Sequence, residues 1–224
     1  MKKIIIISLT LFFSSFVFSQ HKSTNAKHLN VNWHKVGWFL EANGGMRLLG
    51  KTSEQADMKP GLSLTGGVGY FINEQFGVRG RLDYQGFNTE TVNSSNSSYS
   101  IGLSAEALLR TLNAFGGVKN RAFEVVAHGG IGGNSLINPE LRDYVRNDLG
   151  KEFEDGGFKG TDDMFHIVIG ATPEYHFNSK LSLNLDISHF IQFGQHRTYD
   201  VFSKELADGP TGVFVTSLGL TVRL

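Results

Sequence analysis

From Trp38 to Leu224 the chain alternates apolar and polar residues, and one phase of that alternation excludes charge while the other collects it. The stretch Phe76 to Gly86 is the clearest case. Phe76, Val78, Gly80, Leu82, Tyr84 and Gly86 fall on one face of an extended chain, and Gly77, Arg79, Arg81, Asp83 and Gln85 on the other. A period of two marks a strand whose faces meet different surroundings. The same pattern predicts eight strands, at 36–49, 61–73, 76–87, 98–111, 121–133, 162–177, 181–193 and 212–224. Most are long enough to cross a bilayer at a tilt.

The apolar phase reads as the lipid-facing one. Trp38, Leu40, Ala42, Gly44, Met46 and Leu48 supply it in the first strand, and Tyr99, Ile101, Leu103, Ala105, Ala107 and Leu109 in the fourth. This phase is expected to carry no Asp, Glu, Lys or Arg, because a basic residue facing mid-bilayer lipid costs about 2–4 kcal/mol. His189 is then its one ionisable group. The opposite phase holds Glu41, Arg47, Arg79, Arg81, Asp83, Glu106, Arg110, Glu124, Glu174, Asp186 and Arg223, with His128, His166 and His176 nearby. Its acids and bases nearly balance, and every base is arginine, whose rigid fork of donors can serve several carboxylates at once. This composition predicts a polar network inside a narrow barrel, apolar outside and charged within.

The chain ends and connections agree with export and insertion. Lys2 and Lys3, then an apolar run to Phe18, form a secretory signal with cleavage expected after Ser19. Residues 20–35 would be a periplasmic leader and 36–224 the barrel. His21, His28 and His34 in the leader lack metal-ligand spacing. The chain has no cysteine, which excludes a lipid-anchored lipoprotein. Its 21 basic and 21 acidic residues cancel, so nothing suggests nucleic acid as a partner. Asn73-Glu74-Gln75 and Asn178-Ser179-Lys180 read as tight turns and 112–120 as a compact third connection. The other connections, 50–60, 88–97, 134–161 and 194–211, are longer. Short periplasmic turns and long outer loops are the usual asymmetry of membrane barrels. Aromatic girdles are expected from Trp38, Tyr70, Phe76, Tyr175 and Phe177 at one interface, and from Tyr84, Phe87, Tyr99, Phe165 and Phe193 at the other. Pro173 predicts a bulge in the sixth strand.

An export signal, eight such strands, Gly-rich β segments and an apolar last strand ending at Leu224 resemble the small outer-membrane β-barrels of the OmpA-like or porin family. The resemblance rests on pattern over residues 36–224 and carries over no catalytic residue. It implies an all-β fold, an eight-stranded antiparallel up-and-down transmembrane barrel in the outer membrane of a Gram-negative cell. It implies outer-membrane lipids and lipopolysaccharide as surroundings, and insertion by barrel-assembly machinery that reads the last strand. Many members end in Phe, where this chain has Leu224.

Three functions compete. The first is a structural or surface-interaction barrel acting through its outer loops, since eight strands leave an interior that side chains just fill. Loop 134–161 is the candidate contact for an extracellular partner, with Leu141, Tyr144, Val145 and Leu149 at helical spacing. Asn93 to Ser98 reads as an exposed loop tip. The second is a narrow pore, with Gly45, Gly67, Gly69, Gly77, Gly102, Gly130 and Gly170 leaving inward room for water. The third is a lipid-modifying enzyme, by resemblance to eight-stranded barrels that deacylate or acylate lipid A; the deacylase pattern sets His and Ser two apart on the lipid face, but Ile191 stands where that serine would be, and Ser188 points inward on alternation. The first reading is the expectation, with no enzymatic activity, no cofactor and no metal.

Overall fold

In a computed structural model of the protein, residues 36–49, 57–58, 60–91, 94–115, 122–139, 161–196, 199 and 210–224 are described. The expected signal, the leader with its three histidines, and the helical spacing at 141–149 lie outside the described residues. Eight long strands follow one another: β1 (Gly37–Leu49), β2 (Gly61–Phe71), β3 (Phe76–Thr91), β4 (Ser94–Arg110), β5 (Phe123–Ile137), β6 (Thr161–His176), β7 (Leu181–Phe193) and β8 (Thr211–Arg223). Each pairs antiparallel with the next. β8 pairs back onto β1, from Phe39↔Arg223 to Leu49↔Phe214. The result is a closed, eight-stranded, up-and-down barrel with no free edge.

Local chemistry sets the connections. The side chain of Asn73 accepts hydrogen bonds from Gln75 N at 2.8 Å and Phe76 N at 2.7 Å. Asn178 does the same for Lys180 N at 2.9 Å and Leu181 N at 3.1 Å. Both are Asx turns, in which a short polar side chain replaces the backbone acceptor. The third short connection opens with one helical turn, α1 (Thr111–Phe115). These three connections share one end of the barrel with Gly37 and Leu224.

Three expectations about the strands change. The first concerns length: β3 and β4 run on to Thr91 and Ser94, which pair with each other, and β5 runs on to Ile137. Most of the 88–97 connection is therefore ladder. Its Asn, Ser and Thr residues break the apolar pattern, but backbone pairing needs no apolar side chain. A two-residue strand, Asp57–Met58, adds to β3 at Glu90 and Thr89. The second concerns Pro173, which makes no bulge. Val125↔Pro173 holds on one side, and on the other the register resumes at Glu174↔Asn184 as it left at Ala171↔Ile187. Among the described pairings, the shift lies instead between Arg47 and Leu49 against β8. The third concerns Asp163, which breaks the rule of a charge-free outward phase. It is exposed where β6 begins and accepts a hydrogen bond from Ser135. At that rim a carboxylate can reach water.

Among the described residues between the rims the outward phase is mostly apolar. Trp38, Leu62, Leu82, Leu103, Ile131 and Leu218 are each more than half exposed. Apolar surface this extensive has no stable place in water and matches the lipid-facing wall of a membrane barrel. Aromatic pairs mark its two margins. Trp38–Tyr70 (5.2 Å between ring centres) and Tyr175–Phe177 (5.6 Å) lie at the short-turn end, and Tyr84–Tyr99 (5.6 Å) and Phe165–Phe193 (6.2 Å) at the other. Phe87 does not join them. It is fully buried inside the barrel, where its odd place in the β3 alternation puts it.

Leu82→Arg, at the middle of the lipid-facing side of β3, is expected to destabilise the barrel by about 2–4 kcal/mol. Leu82→Ala should cost less. Denaturant-driven unfolding in phospholipid vesicles measures both.

Candidate functional site

The interior is layered along the barrel axis. All eleven charged residues expected inside are buried, at 9% exposure or less, but they do not form one cluster. Six of them, Glu41, Arg79, Arg81, Asp83, Glu106 and Asp186, meet at mid-barrel. Arg79 Nη1 lies 2.8 Å from Glu41 Oε1, while Arg79 Nη2 contacts Glu106 and lies 3.8 Å from Asp186. Arg81 Nε donates to Asp83 at 2.7 Å, and Arg81 Nη1 lies 3.3 Å from Asp186 and donates to Ser188 Oγ at 3.0 Å. Asp186 also accepts from Ser188 and from Thr172 Oγ1 at 3.2 Å. Two arginines from one strand thus tie together carboxylates on β1, β3, β4 and β7.

His128 completes this layer. Its Nδ1 lies 2.9 Å from Glu106 and its Nε2 3.5 Å from Asp186. The inward phase of β5 places it there, but alternation alone does not reveal that it stands between two acids.

Four other charges lie toward the short-turn end. Arg223 Nη2 is 3.7 Å from Glu174 Oε2, and His176 Nε2 is 3.9 Å from the same oxygen. Glu174 faces Glu124 across the β5–β6 ladder. Glu124 accepts from Leu112 N at 2.9 Å and Val125 N at 3.0 Å, so it anchors α1. Arg110 stacks its guanidinium over Phe71 at 3.5 Å and donates to the Glu74 carbonyl at 3.4 Å. With Phe39, Leu108 and Val126, Phe71 forms an apolar cluster that fills this end.

The opposite end holds a second buried cluster. Phe87, Leu136, Met164, Val168, Phe190, Val213, Val215 and Tyr199 form a buried apolar cluster inside the barrel. Arg47 belongs here, 4.3 Å above the Phe87 ring, with its Nε donating to the Gly86 carbonyl at 3.0 Å. Tyr199 comes from the connection between β7 and β8. It stacks on Phe87 at 4.6 Å with the rings 8° from parallel, donates its hydroxyl to Gln192 Oε1 at 2.8 Å, and accepts from Ser98 through its carbonyl. Ser98 is therefore buried rather than part of an exposed tip. No periodicity singles out Tyr199, because it lies outside every strand. Asp162, a further inward acid missing from the expected set, accepts from His196 N at 2.8 Å at the same rim.

Several inward glycines lie against neighbouring side chains. A Cβ on Gly67 would come within 2.7 Å of Glu41 Oε1, one on Gly77 within 2.8 Å of Phe71, and one on Gly130 within 2.7 Å of Glu106. Phe39 lies over Gly69 and the His128 ring over Gly170. At Gly67, Gly69, Gly77 and Gly170 the missing side chain makes room for a larger neighbour, while Gly45 lies against the backbone of Thr216 and Ser217.

Between the mid-barrel ions and the upper apolar cluster runs a hydrogen-bond chain. Ser104 Oγ is 2.8 Å from His166 Nε2, His166 Nδ1 is 3.0 Å from Asn134 Oδ1, and Asn134 Nδ2 donates to Ser100 at 2.9 Å. A hydroxyl, an imidazole and an orienting amide stand here in the order that nucleophilic catalysis uses. Ser104 and His166 are 3% and 1% exposed. The chain joins β4, β5 and β6 and satisfies polar groups that would be costly to bury alone. Ser188 is bound to Asp186 and Arg81, on the opposite side of the wall from His189, whose ring sits 6.1 Å from Phe214.

A closed barrel with a charged interior, an apolar wall and aromatic margins defines an outer-membrane β-barrel protein. Residues 8–214 match the model of the outer membrane protein beta-barrel domain, and the chain belongs to that family. Solved structures share the fold at low sequence identity. Neisserial surface protein A (NspA) is 14% identical with a TM-score of 0.51, covering 84% of this chain and 97% of that one. OprG from Pseudomonas aeruginosa is 13% identical with a TM-score of 0.51, covering 87% and 99%. Ail, the attachment invasion locus protein of Yersinia pestis, in complex with the heparin analogue sucrose octasulfate, is 14% identical with a TM-score of 0.50, covering 85% and 99%. No curated protein matches the sequence.

Two predictions follow from the interior. Replacing Arg81 by Met removes the arginine bound to Asp83 and one of the partners of Asp186, and should cost about 3–5 kcal/mol in vesicle unfolding; adding Asp83→Leu should recover part of the loss. Burial pushes the Tyr199 phenol up to about 12 from its ordinary value of 10.0. A pKa raised by folding gives stability that is complete below the unfolded value and lost as pH rises through the folded one. Stability should therefore fall between pH 10 and 12 more steeply in the native barrel than in Tyr199→Phe.

Proposed function

We propose that this protein acts at the outer surface of the outer membrane through its long connections, with the barrel as a closed anchor that does not conduct solutes. The observation that carries this reading is the burial of the inward side chains along the barrel. Apolar clusters occupy both ends, and between them the arginines of β3 bind carboxylates from four strands. An ion entering would have to part pairs whose loss costs about 3–5 kcal/mol each, with little hydration to repay it. The long connections gather at the end away from the chain termini, which is the outer side for a barrel inserted from the periplasm. Lipopolysaccharide and outer-membrane lipids then surround the wall, barrel-assembly machinery inserts it, and an extracellular partner meets the connection between β5 and β6. The reading assigns no catalytic step.

In planar bilayers, repeated insertions of the purified barrel should give no discrete conductance steps; reproducible steps would overturn the closed-anchor reading. Leu136 is fully buried, so a deletion aimed at the β5–β6 connection should begin beyond it. Removing 140–158 should leave a barrel that still folds, seen as a heat-dependent shift on gels, while cells expressing it lose surface binding.

A further inference from the structure

We propose that β8, β1, β2 and β3 enclose a buried polar site beside the central ions, and that it holds one monovalent cation together with water. Two adjacent rows of inward positions build it. Gly219, Asn43, Thr65 and Asp83 lie opposite one another in the first row, and Ser217, Gly45, Ser63 and Gln85 in the second. The two glycines bring no side chain, and the Asn43 amide lies over Gly219. The six polar side chains are each at most 6% exposed. Asn43 Oδ1 and Nδ2, Ser63 Oγ, Thr65 Oγ1, Asp83 Oδ2, Gln85 Oε1 and Ser217 Oγ have no hydrogen-bond partner among the described residues. Buried polar groups in native proteins are held by a partner, so these atoms, grouped in neighbouring rows, point to a ligand held between them. On β4, β5 and β6 the polar side chains instead satisfy one another, through the Ser104–His166–Asn134–Ser100 chain.

Charge identifies the ligand. Glu41, Asp83, Glu106 and Asp186 bring four carboxylates to the central layer, and Arg79 and Arg81 bring two guanidiniums. Counting His128 as a third positive charge still leaves one negative charge in excess, and an uncompensated buried charge is costly. Asp83 is where a cation would remove it, because Oδ1 takes Arg81 Nε while Oδ2 has no partner. Around that oxygen stand hydroxyls and side-chain amide oxygens, the donors that suit a hard cation. Among the described residues no three His, Asp or Glu side chains are grouped to hold a metal ion, so a multivalent ion lacks charged ligands here. One carboxylate among neutral oxygens matches a single positive charge. Water completes the shell and accepts from Asn43 Nδ2, a donor that a cation cannot serve. Buried apolar clusters lie toward both ends of the barrel, so the ion enters as the strands close and becomes part of the folded interior. The inference is independent of what the outer connections bind.

The test refolds the full chain into phosphatidylcholine vesicles, in sodium chloride or in N-methylglucamine chloride of equal ionic strength. A ligand bound only by the folded state raises the folded-to-unfolded ratio as its concentration passes its Kd. Sodium should raise that ratio, read from urea unfolding, at least about tenfold over N-methylglucamine. Thr65→Val and Asp83→Asn should each remove most of the gain. Leu82→Ala, on the lipid side of the same strand as Asp83, should keep it. Equal ratios for the native chain in the two salts, or a full sodium response in either site variant, would overturn the proposal. Should neither site variant fold, crystals of the native barrel grown with thallium(I) give a second reading. An anomalous peak is expected between Thr65 and Asp83, and density for water alone at that place would refute the cation.

Discussion

Hydrocarbon offers a peptide group no hydrogen-bond partner, and the rest of this structure follows from that. A chain of strands can cross a membrane only if every strand has two neighbours, so β1 must find β8. Phe39↔Arg223 through Leu49↔Phe214 is that closure. Once the wall is closed, its two faces meet opposite solvents, and the alternation of side chains is sorted between lipid and lumen. Leu82 and Arg81 are neighbours in sequence and lie on opposite sides of one sheet.

Closure creates a second demand. A barrel of eight strands encloses little volume, and polar groups placed there lose most of their water. The interior meets this with pairing and with packing. At mid-barrel, Arg79 and Arg81 each reach several carboxylates, so a charge that would be expensive alone is shared within a network. Toward each end, aromatic and aliphatic side chains form buried clusters. Glycine contributes by absence: Phe39 lies where Gly69 has no side chain, and the His128 ring where Gly170 has none. The chemistry of the lumen and its tight fit are therefore one arrangement.

Much of this was legible in the sequence because it rests on local periodicity. Strand number, the two Asx turns and the inward place of all eleven charges follow from which residues alternate and where Asn interrupts them. Other features depend on something periodicity does not contain. The apolar pattern stops short of the ends of β3, β4 and β5 because pairing outlasts it once the strands leave the lipid. Pro173 suggests a bulge, but the flanking pairs hold its register. Phe87 has the residue type of a girdle, but its phase puts it inside.

The sequence by itself determined that this chain is a membrane barrel and which side of the wall most residues of its expected strands take, since a period of two leaves a strand only two choices. It could not determine which inward residues meet. The central group draws on strands whose residues are more than a hundred positions apart, as with Arg81 and Asp186, and only barrel closure brings those heights into register. Nor could it foresee Tyr199, whose place is set by the stacking face, acceptor and hydroxyl that β3, β7 and β4 present together.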